Sequence, residues 1–203
     1  MCYSAQSSIT TFAFVFGVCV YLWHKGNPIR KTLAIILFFI GLMQIVEFFI
    51  WLNVDCSQTN KLISLAIPVL LFLQPVVVLG AIIYFNSGRF SDTVYKSLLL
   101  IWFLCAPLFV DLMKTGFNKC TTIGNKGHLV WPYVKSFQNG LSQDLYNFML
   151  MIGIGSLNTP YYGIFYVISS TLSLKYIQEI YGHSWGSVWC NFVNFLAIGA
   201  LFV

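Results

Sequence analysis

The sequence predicts an all-α integral membrane protein, and its composition and apolar patterning are the basis for this class. The 203 residues are 58% hydrophobic and only 8% charged, whereas a soluble domain carries roughly a quarter charged residues. The mean hydropathy is +0.79, and the apolar residues form long runs separated by polar loops. So few charges cannot coat a soluble surface of this size, but helices that face lipid need no such coat.

The apolar runs predict a bundle of seven transmembrane helices in a single domain of residues 1–203. The first run has no Lys or Arg before it and no small-residue cleavage site before the basic loop, so we interpret it as a retained helix and not as a signal peptide. The turn Gly26-Asn27-Pro28 separates the first two runs. The predicted spans are residues 9–23, 32–53, 62–85, 97–113, 145–158, 161–181 and 185–203.

Prolines mark the irregular places in this pattern. Pro68 and Pro75 lie inside the third span, where a proline kinks the helix and frees a backbone carbonyl. The fifth span would cover only ~21 Å as a helix, against a hydrocarbon core of ~30 Å. The alternative is one long helix kinked at Pro160, which gives six spans.

Residues 114–144 form the one long polar connection, and we expect them to make an extramembrane cap loop over one membrane face. The segment contains Cys120, His128, Trp131 and Pro132. It is too short for a separate domain. A short amphipathic helix is predicted at residues 134–139.

The basic residues bear on orientation in the membrane. With seven spans, the two membrane sides carry five and six of the bases, a nearly balanced count. The first short loop usually dominates insertion, and its three bases favour an extracytoplasmic N-terminus and a cytosolic C-terminus. Which membrane is involved stays open. The bases of the first side are Lys25, Arg30, Lys31, Arg89 and Lys96, and those of the second are Lys61, Lys114, Lys119, Lys126, Lys135 and Lys175.

Four cysteines fall at the same end of the predicted bundle. If that end is extracytoplasmic it is oxidising, and disulfides are expected there. Cys56 and Cys120 are the favoured pair because both lie in polar loops, and Cys2 with Cys190 is the weaker second pair. Four free thiols remain the alternative. The spacing contains no C-x-x-C or Cys/His zinc pattern, so we predict no metal site.

An ionisable residue interrupts the second apolar run. Glu47 shares one helical face with Gln44 and Trp51, and a charge at membrane depth costs a few kcal/mol or more. We therefore predict a polar pocket around Glu47 that opens toward the N-terminal side, with Gln74 and Pro75 as its floor.

Further polar residues in the spans are candidates for the same pocket, and each has a structural alternative. Asn191 and Asn194 occupy one face of the seventh span. Interhelical hydrogen bonding alone would explain them and Gln74, and Glu47 could be a protonated packing residue. The remaining candidates, Trp51, Trp131, Trp185 and Trp189, are expected to form an interfacial aromatic belt.

Two stretches resemble an uncharacterised family of small polytopic membrane proteins from large DNA viruses, algae and bacteria. The opening Met1-Cys2-Tyr3-Ser4 is similar to the M-C-aromatic-S start of these proteins. Residues 43–51 resemble the M-Q-x-x-E-x-x-x-W motif of the eukaryotic and viral members, and Gln74-Pro75 and Trp189-Cys190 also fit. The resemblance implies a fold and a common site of Cys2, Gln44, Glu47, Gln74 and Cys190, but no activity.

The function predicted from these features is an ion or proton channel, or a small-solute transporter, in which Glu47 binds a cation or relays a proton. One alternative is a membrane enzyme at the outer leaflet that uses Cys2 and His128. Another is a structural or accessory membrane subunit of a virion or larger complex. We find no catalytic, cofactor or nucleic-acid motif, so the bilayer is the expected partner, and the sequence is compatible with a homo-oligomer.

Overall fold

The computed structural model describes residues 3–138, 140–190 and 192–203. It is all-α apart from one two-stranded hairpin, and 78% of it is helical. A 3-10 turn, Gly182–Ser184, joins α9 to α10. The elements are α1 Ala5–Lys25, α2 Pro28–Trp51, α3 Gln58–Ser64, α4 Ala66–Phe85, α5 Asp92–Leu104, α6 Ala106–Gly116, β1 Thr122–Ile123, β2 Leu129–Val130, α7 Val134–Gln138, α8 Leu141–Gly155, α9 Pro160–Tyr181, α10 Trp185–Cys190 and α11 Val193–Ala200.

Four helical stretches are long and apolar enough to cross a membrane, which fits a membrane-embedded protein. They are Ala5–Lys25, Pro28–Trp51, Gln58–Phe85 and Asp92–Gly116, and they correspond to the first four predicted spans. The other three predicted spans correspond to α8, to α9 and to α10 with α11. The count of seven spans therefore stays a prediction.

The first two helices form a hairpin because the turn between them carries the right residues. Gly26 ends α1 with a φ of +80°, which is a left-handed conformation that glycine adopts at no steric cost. Asn27 then caps α2, since its Oδ1 accepts from the backbone N–H of Arg30 at 2.7 Å, and Pro28 fits the first helical position. The two helices pack along their length.

Prolines break two of the candidate spans. Pro68 lacks the N–H that would bond to the carbonyl of Ser64, and α3 gives way to α4 at Leu65. The freed Ser64 carbonyl accepts from the Tyr133 hydroxyl at 3.2 Å. Pro107 lies in the first turn of α6 at the break from α5. Pro75 lies inside α4 without ending it.

The region around Pro160 is a helical hairpin and not one long kinked helix. The helices α8 and α9 are separate and pack against each other. A Cβ on Gly163 would lie 2.7 Å from the carbonyl oxygen of Gly155, so only glycine permits this close approach. On another face of α8, a Cβ on Gly153 would lie 2.5 Å from a methyl of Val78 in α4.

Residues 117–140, here called the cap, connect α6 to α8. The antiparallel hairpin pairs Thr122 with Val130, and α7 confirms the short helix predicted after it, up to Gln138. The predicted Cys56–Cys120 disulfide is present and ties the cap to the loop between α2 and α3.

A buried polar network lies beside this disulfide. The Asn60 side chain donates to the backbone carbonyls of Asn53, at 2.7 Å, and Thr121, at 3.0 Å. In return the backbone N–H of Thr121 donates to Asn60 Oδ1 at 2.9 Å. The Ser64 hydroxyl bonds to that of Thr121 at 2.7 Å. The cap is thus fixed to α3 by both a covalent bond and satisfied buried hydrogen bonds.

At the opposite end, the loop after α4 is bonded to the loop between α8 and α9. The backbone N–H of Asn158 donates to the Ser87 carbonyl at 2.9 Å, and that of Arg89 donates to the Ser156 carbonyl at 2.8 Å. We call this the basic end, because the loops 24–31 and 86–96 belong to it and contain five bases and one acid.

Candidate functional site

The polar face of α2 is buried as a unit. Glu47 and Gln44 are both 0% exposed, and Trp51, one turn beyond Glu47, is half-buried. Gly41 allows α1 to approach the same helix, since a Cβ there would meet Val15 at 3.2 Å. The carboxyl that is out of place in an apolar run thus lies inside the bundle, as expected for an ionisable residue at membrane depth.

Tyr133 of the cap lies near both Glu47 of α2 and Cys190 of α10. Burial raises the pKa of Tyr133 well above its usual range, and the nearby Cys190 and Glu47 raise it further. Tyr133 is therefore a neutral hydroxyl beside a carboxyl and a thiol. Its own proton is used in the bond to Ser64 described above.

Gln74 is joined to α8. The Tyr146 hydroxyl donates to Gln74 Oε1 across the interface of α4 and α8, and both side chains are buried. Gln74 therefore acts in part as the interhelical hydrogen-bonding residue that the structural alternative describes.

A small cavity of about 30 Å³ lies next to Gln74. Its wall includes Cys190 and Met43, and the cap covers it through Trp131 and Phe137. Gln44, Glu47 and Trp51 are not among its described lining residues. The sequence predicts a polar pocket that opens toward the cap, whereas this cavity is narrow, mostly apolar in its lining and covered by the cap.

Two of the four tryptophans predicted for the aromatic belt are buried inside the protein. Trp131 and Trp185 are each 3% exposed and line the cavity together with Trp189. Trp131 packs directly on α10, where a Cβ on Gly186 would lie 2.5 Å from its ring. The belt interpretation is wrong for Trp131 and Trp185 because the cap folds them inward.

Two buried donors belong to residues that line this cavity. Within the described part of the chain, the indole Nε1 atoms of Trp131 and Trp185 have no hydrogen-bond acceptor. Buried polar groups are normally satisfied by protein, water or ligand. A cavity of this size has room for about two water molecules, so the site can hold water beside the Gln74 amide.

The other predicted site residues are distributed differently. Asn194 Nδ2 donates to the Thr11 hydroxyl of α1 at 3.3 Å, which supports the interhelical interpretation of that residue. Asn191 and Cys2 lie outside the described residues, and so does any Cys2–Cys190 pair. Cys190 itself is buried at the cavity wall.

His128 is fully buried in the cap. Its ring centroid lies 3.9 Å from that of Tyr3 and 5.0 Å from that of Tyr181. These contacts hold the segment before α1 against the cap and the end of α9. Among the described residues, no cluster of three or more His, Cys, Asp or Glu could hold a metal ion.

Sequence reasoning missed Tyr133 and Tyr146 as site residues. Both are tyrosines in ordinary aromatic contexts, and nothing in their local sequence distinguishes them from the exposed Tyr161 or Tyr84. Their partners are distant along the chain, so only the packing of the cap and of α8 identifies them.

Comparison of the chain with family models, with curated proteins and with solved structures gives no match. The resemblance to the M-C-aromatic-S membrane proteins therefore stays a prediction, and the function has to be argued from the site.

Proposed function

We propose that this protein binds a proton or a small cation at Glu47 and passes it across the membrane. The observation that carries the proposal is the complete burial of Glu47 and Gln44 in a span of high hydropathy. Burying a carboxyl there costs a few kcal/mol or more. Tyr133, which lies near enough to Glu47 to interact electrostatically, supplies a polar neighbour for it.

The size of the cavity favours a proton or small ion over a larger solute. About 30 Å³ accepts about two water molecules, whereas pockets for drug-sized ligands measure roughly 300–1,000 Å³. The cap covers the cavity, which in this proposal supports an occluded state. Release toward the cap side requires Trp131 to move away from α10.

We propose that the chain crosses the membrane seven times. The bond from Asn158 to Ser87 at the basic end and the contact of Tyr181 with His128 in the cap support opposite directions for α8 and α9. Val203 and Asn158 line one groove, which supports a last pass back to the basic end.

The proposed orientation has the cap and the N-terminus outside and the C-terminus in the cytosol. The Cys56–Cys120 disulfide supports it, because disulfides persist in oxidising compartments. The charge count alone is nearly balanced. The disulfide is therefore the better argument for this orientation.

The test is proton flux into liposomes that contain the purified protein, across an imposed pH gradient. Wild type should dissipate the gradient faster than protein-free liposomes, and Glu47→Gln should abolish the difference. Asp111→Asn is the matched control, because Asp111 is an exposed carboxylate paired with Lys114 at 3.2 Å, and it should keep full flux. Normal flux in Glu47→Gln would remove Glu47 from this role, and absence of wild-type flux of protons and small cations would reject transport.

A second candidate is the outer-leaflet membrane enzyme that uses Cys2 and His128. The contact of the Tyr3 ring with the buried His128 ring at 3.9 Å supports it, because it brings the segment before α1 to His128. Intact-mass measurement with and without reduction tests it. A Cys2 that is fully engaged in a disulfide cannot serve as the resting nucleophile.

A further inference from the structure

A second cavity lies at the basic end, far from the cap. It is a groove of about 690 Å³ between the start of α9 and the end of α11. Its walls include Phe165, Phe195 and Ile198, which are 41–60% exposed. In a membrane-embedded chain, such an apolar groove faces the acyl chains of the bilayer.

The mouth of the groove is polar. Asn158 and Thr159 line it, and within the described part of the chain the buried Thr159 hydroxyl has no hydrogen-bond partner. The Asn158 side chain donates to the Gly88 carbonyl at 3.2 Å, and the neighbouring Arg89 is bonded through its backbone to Ser156. The backbone of a basic residue with an exposed side chain is therefore fixed close to the polar mouth.

The charges at this end are mainly positive. The loops 24–31 and 86–96 contain five bases and one acid, and the loop 156–159 has no charged residue. Basic residues near the membrane surface attract anionic lipids. The arrangement of an apolar groove, a polar mouth and a basic surround is complementary to an anionic phospholipid.

We propose that this groove binds an anionic phospholipid of the leaflet at the basic end. An acyl chain occupies the groove between α9 and α11, and the phosphate lies at the mouth with Thr159 and Arg89. The site is independent of Glu47. It depends only on the chain being embedded in a membrane.

Native mass spectrometry of the detergent-solubilised protein tests this proposal. The protein is titrated with phosphatidylglycerol and with phosphatidylcholine of identical acyl chains. We expect phosphatidylglycerol to be retained about tenfold more tightly, because it carries a net negative charge and phosphatidylcholine does not, and the attraction of one or two nearby bases for that charge supplies about this ratio. Equal retention of the two lipids would overturn the proposal.

Two variants test the headgroup preference and the occupation of the groove separately. Arg89→Gln should remove most of the preference for phosphatidylglycerol, whereas Lys135→Gln, the same charge change in the cap, should leave it unchanged. Ile198→Trp fills the groove and should reduce binding of both lipids. The control for bulk is Ile168→Trp, an exposed position of α9 outside the groove lining. An unchanged lipid preference in Arg89→Gln, or unchanged binding in Ile198→Trp, would contradict the assignment.

Discussion

At the scale of single residues, Glu47 shows what a buried carboxyl needs. It is on the polar face of α2 that the sequence predicts, beside the equally buried Gln44, and Tyr133 of the cap lies near enough to interact with it electrostatically. The grouping of Glu47 with Asn194 in one pocket stays a prediction, and Asn194 also bonds to Thr11 of α1. Helical periodicity identifies which residues share a face, but it does not identify which side chains of other elements contact that face.

Tyr133 provides a test at this scale. Tyr133→Phe removes the hydroxyl that satisfies the Ser64 carbonyl, and we expect the free energy of unfolding to fall by about 1 kcal/mol near neutral pH. Thermal unfolding in detergent measures this. Tyr84→Phe, at a highly exposed position of α4, should have no effect, and an equal loss in both variants would contradict the role of the bond.

The raised pKa of Tyr133 also predicts a pH dependence. Because burial favours the neutral phenol in the folded protein, the stabilisation is present below about pH 10, where the phenol of the unfolded chain is also protonated. Above that pH the unfolded chain loses the proton first, so stability should fall by about 1.4 kcal/mol per pH unit for this group. Unfolding measured from about pH 8 to about pH 11 should show a shallower alkaline decline in Tyr133→Phe than in wild type.

At the scale of secondary-structure elements, small residues decide how closely the helices approach. The sequence places glycines in α8 and α10, but their partners are Val78, Gly163 and Trp131, which no local pattern indicates. The structural effects of the prolines are easier to predict from the sequence. Pro68 predicts an irregular third span, and the structure adds that a cap tyrosine satisfies the carbonyl it frees.

The contact of α10 with the cap gives the prediction for this scale. A Cβ on Gly186 would lie 2.5 Å from the buried Trp131 ring, so Gly186→Ala should displace the cap and lower stability by about 1–3 kcal/mol. Gly80→Ala is the matched control, because nothing lies within 4 Å of a Cβ there; it should be neutral or stabilising. Thermal unfolding and limited proteolysis of the cap measure both, and an undisturbed cap in Gly186→Ala would contradict this packing.

At the scale of the whole molecule, the disulfide and the Asn60 network determine how the cap is held over the bundle. The Cys56–Cys120 bond closes a sequence separation of 64 residues. It was predictable because both cysteines are in polar loops at one end of the bundle. The hydrogen bonds of Asn60 with Thr121 were not, since an asparagine in a short helix after a loop carries no such signal.

Removing the disulfide should therefore destabilise the protein. The double variant Cys56→Ser/Cys120→Ser is expected to lose about 2–4 kcal/mol, measured by chemical or thermal unfolding of the oxidised proteins. Cys105→Ser, a half-buried cysteine outside this bond, serves as the control for the substitution itself. Equal stability of the double variant and wild type would show that the Asn60 network holds the cap without the covalent link.

The sequence by itself determined the class of the protein, the helical face of Glu47 and the favoured cysteine pair, because composition, periodicity and loop polarity are local properties. Only the tertiary structure decided that the cap covers the cavity and that Tyr133, Tyr146 and the tryptophans belong to the site. The Tyr133–Ser64 and Tyr146–Gln74 bonds join residues 69 and 72 positions apart. Contacts of that range depend on how whole helices pack. The sequence of an apolar membrane helix does not decide which of its faces packs against which neighbour.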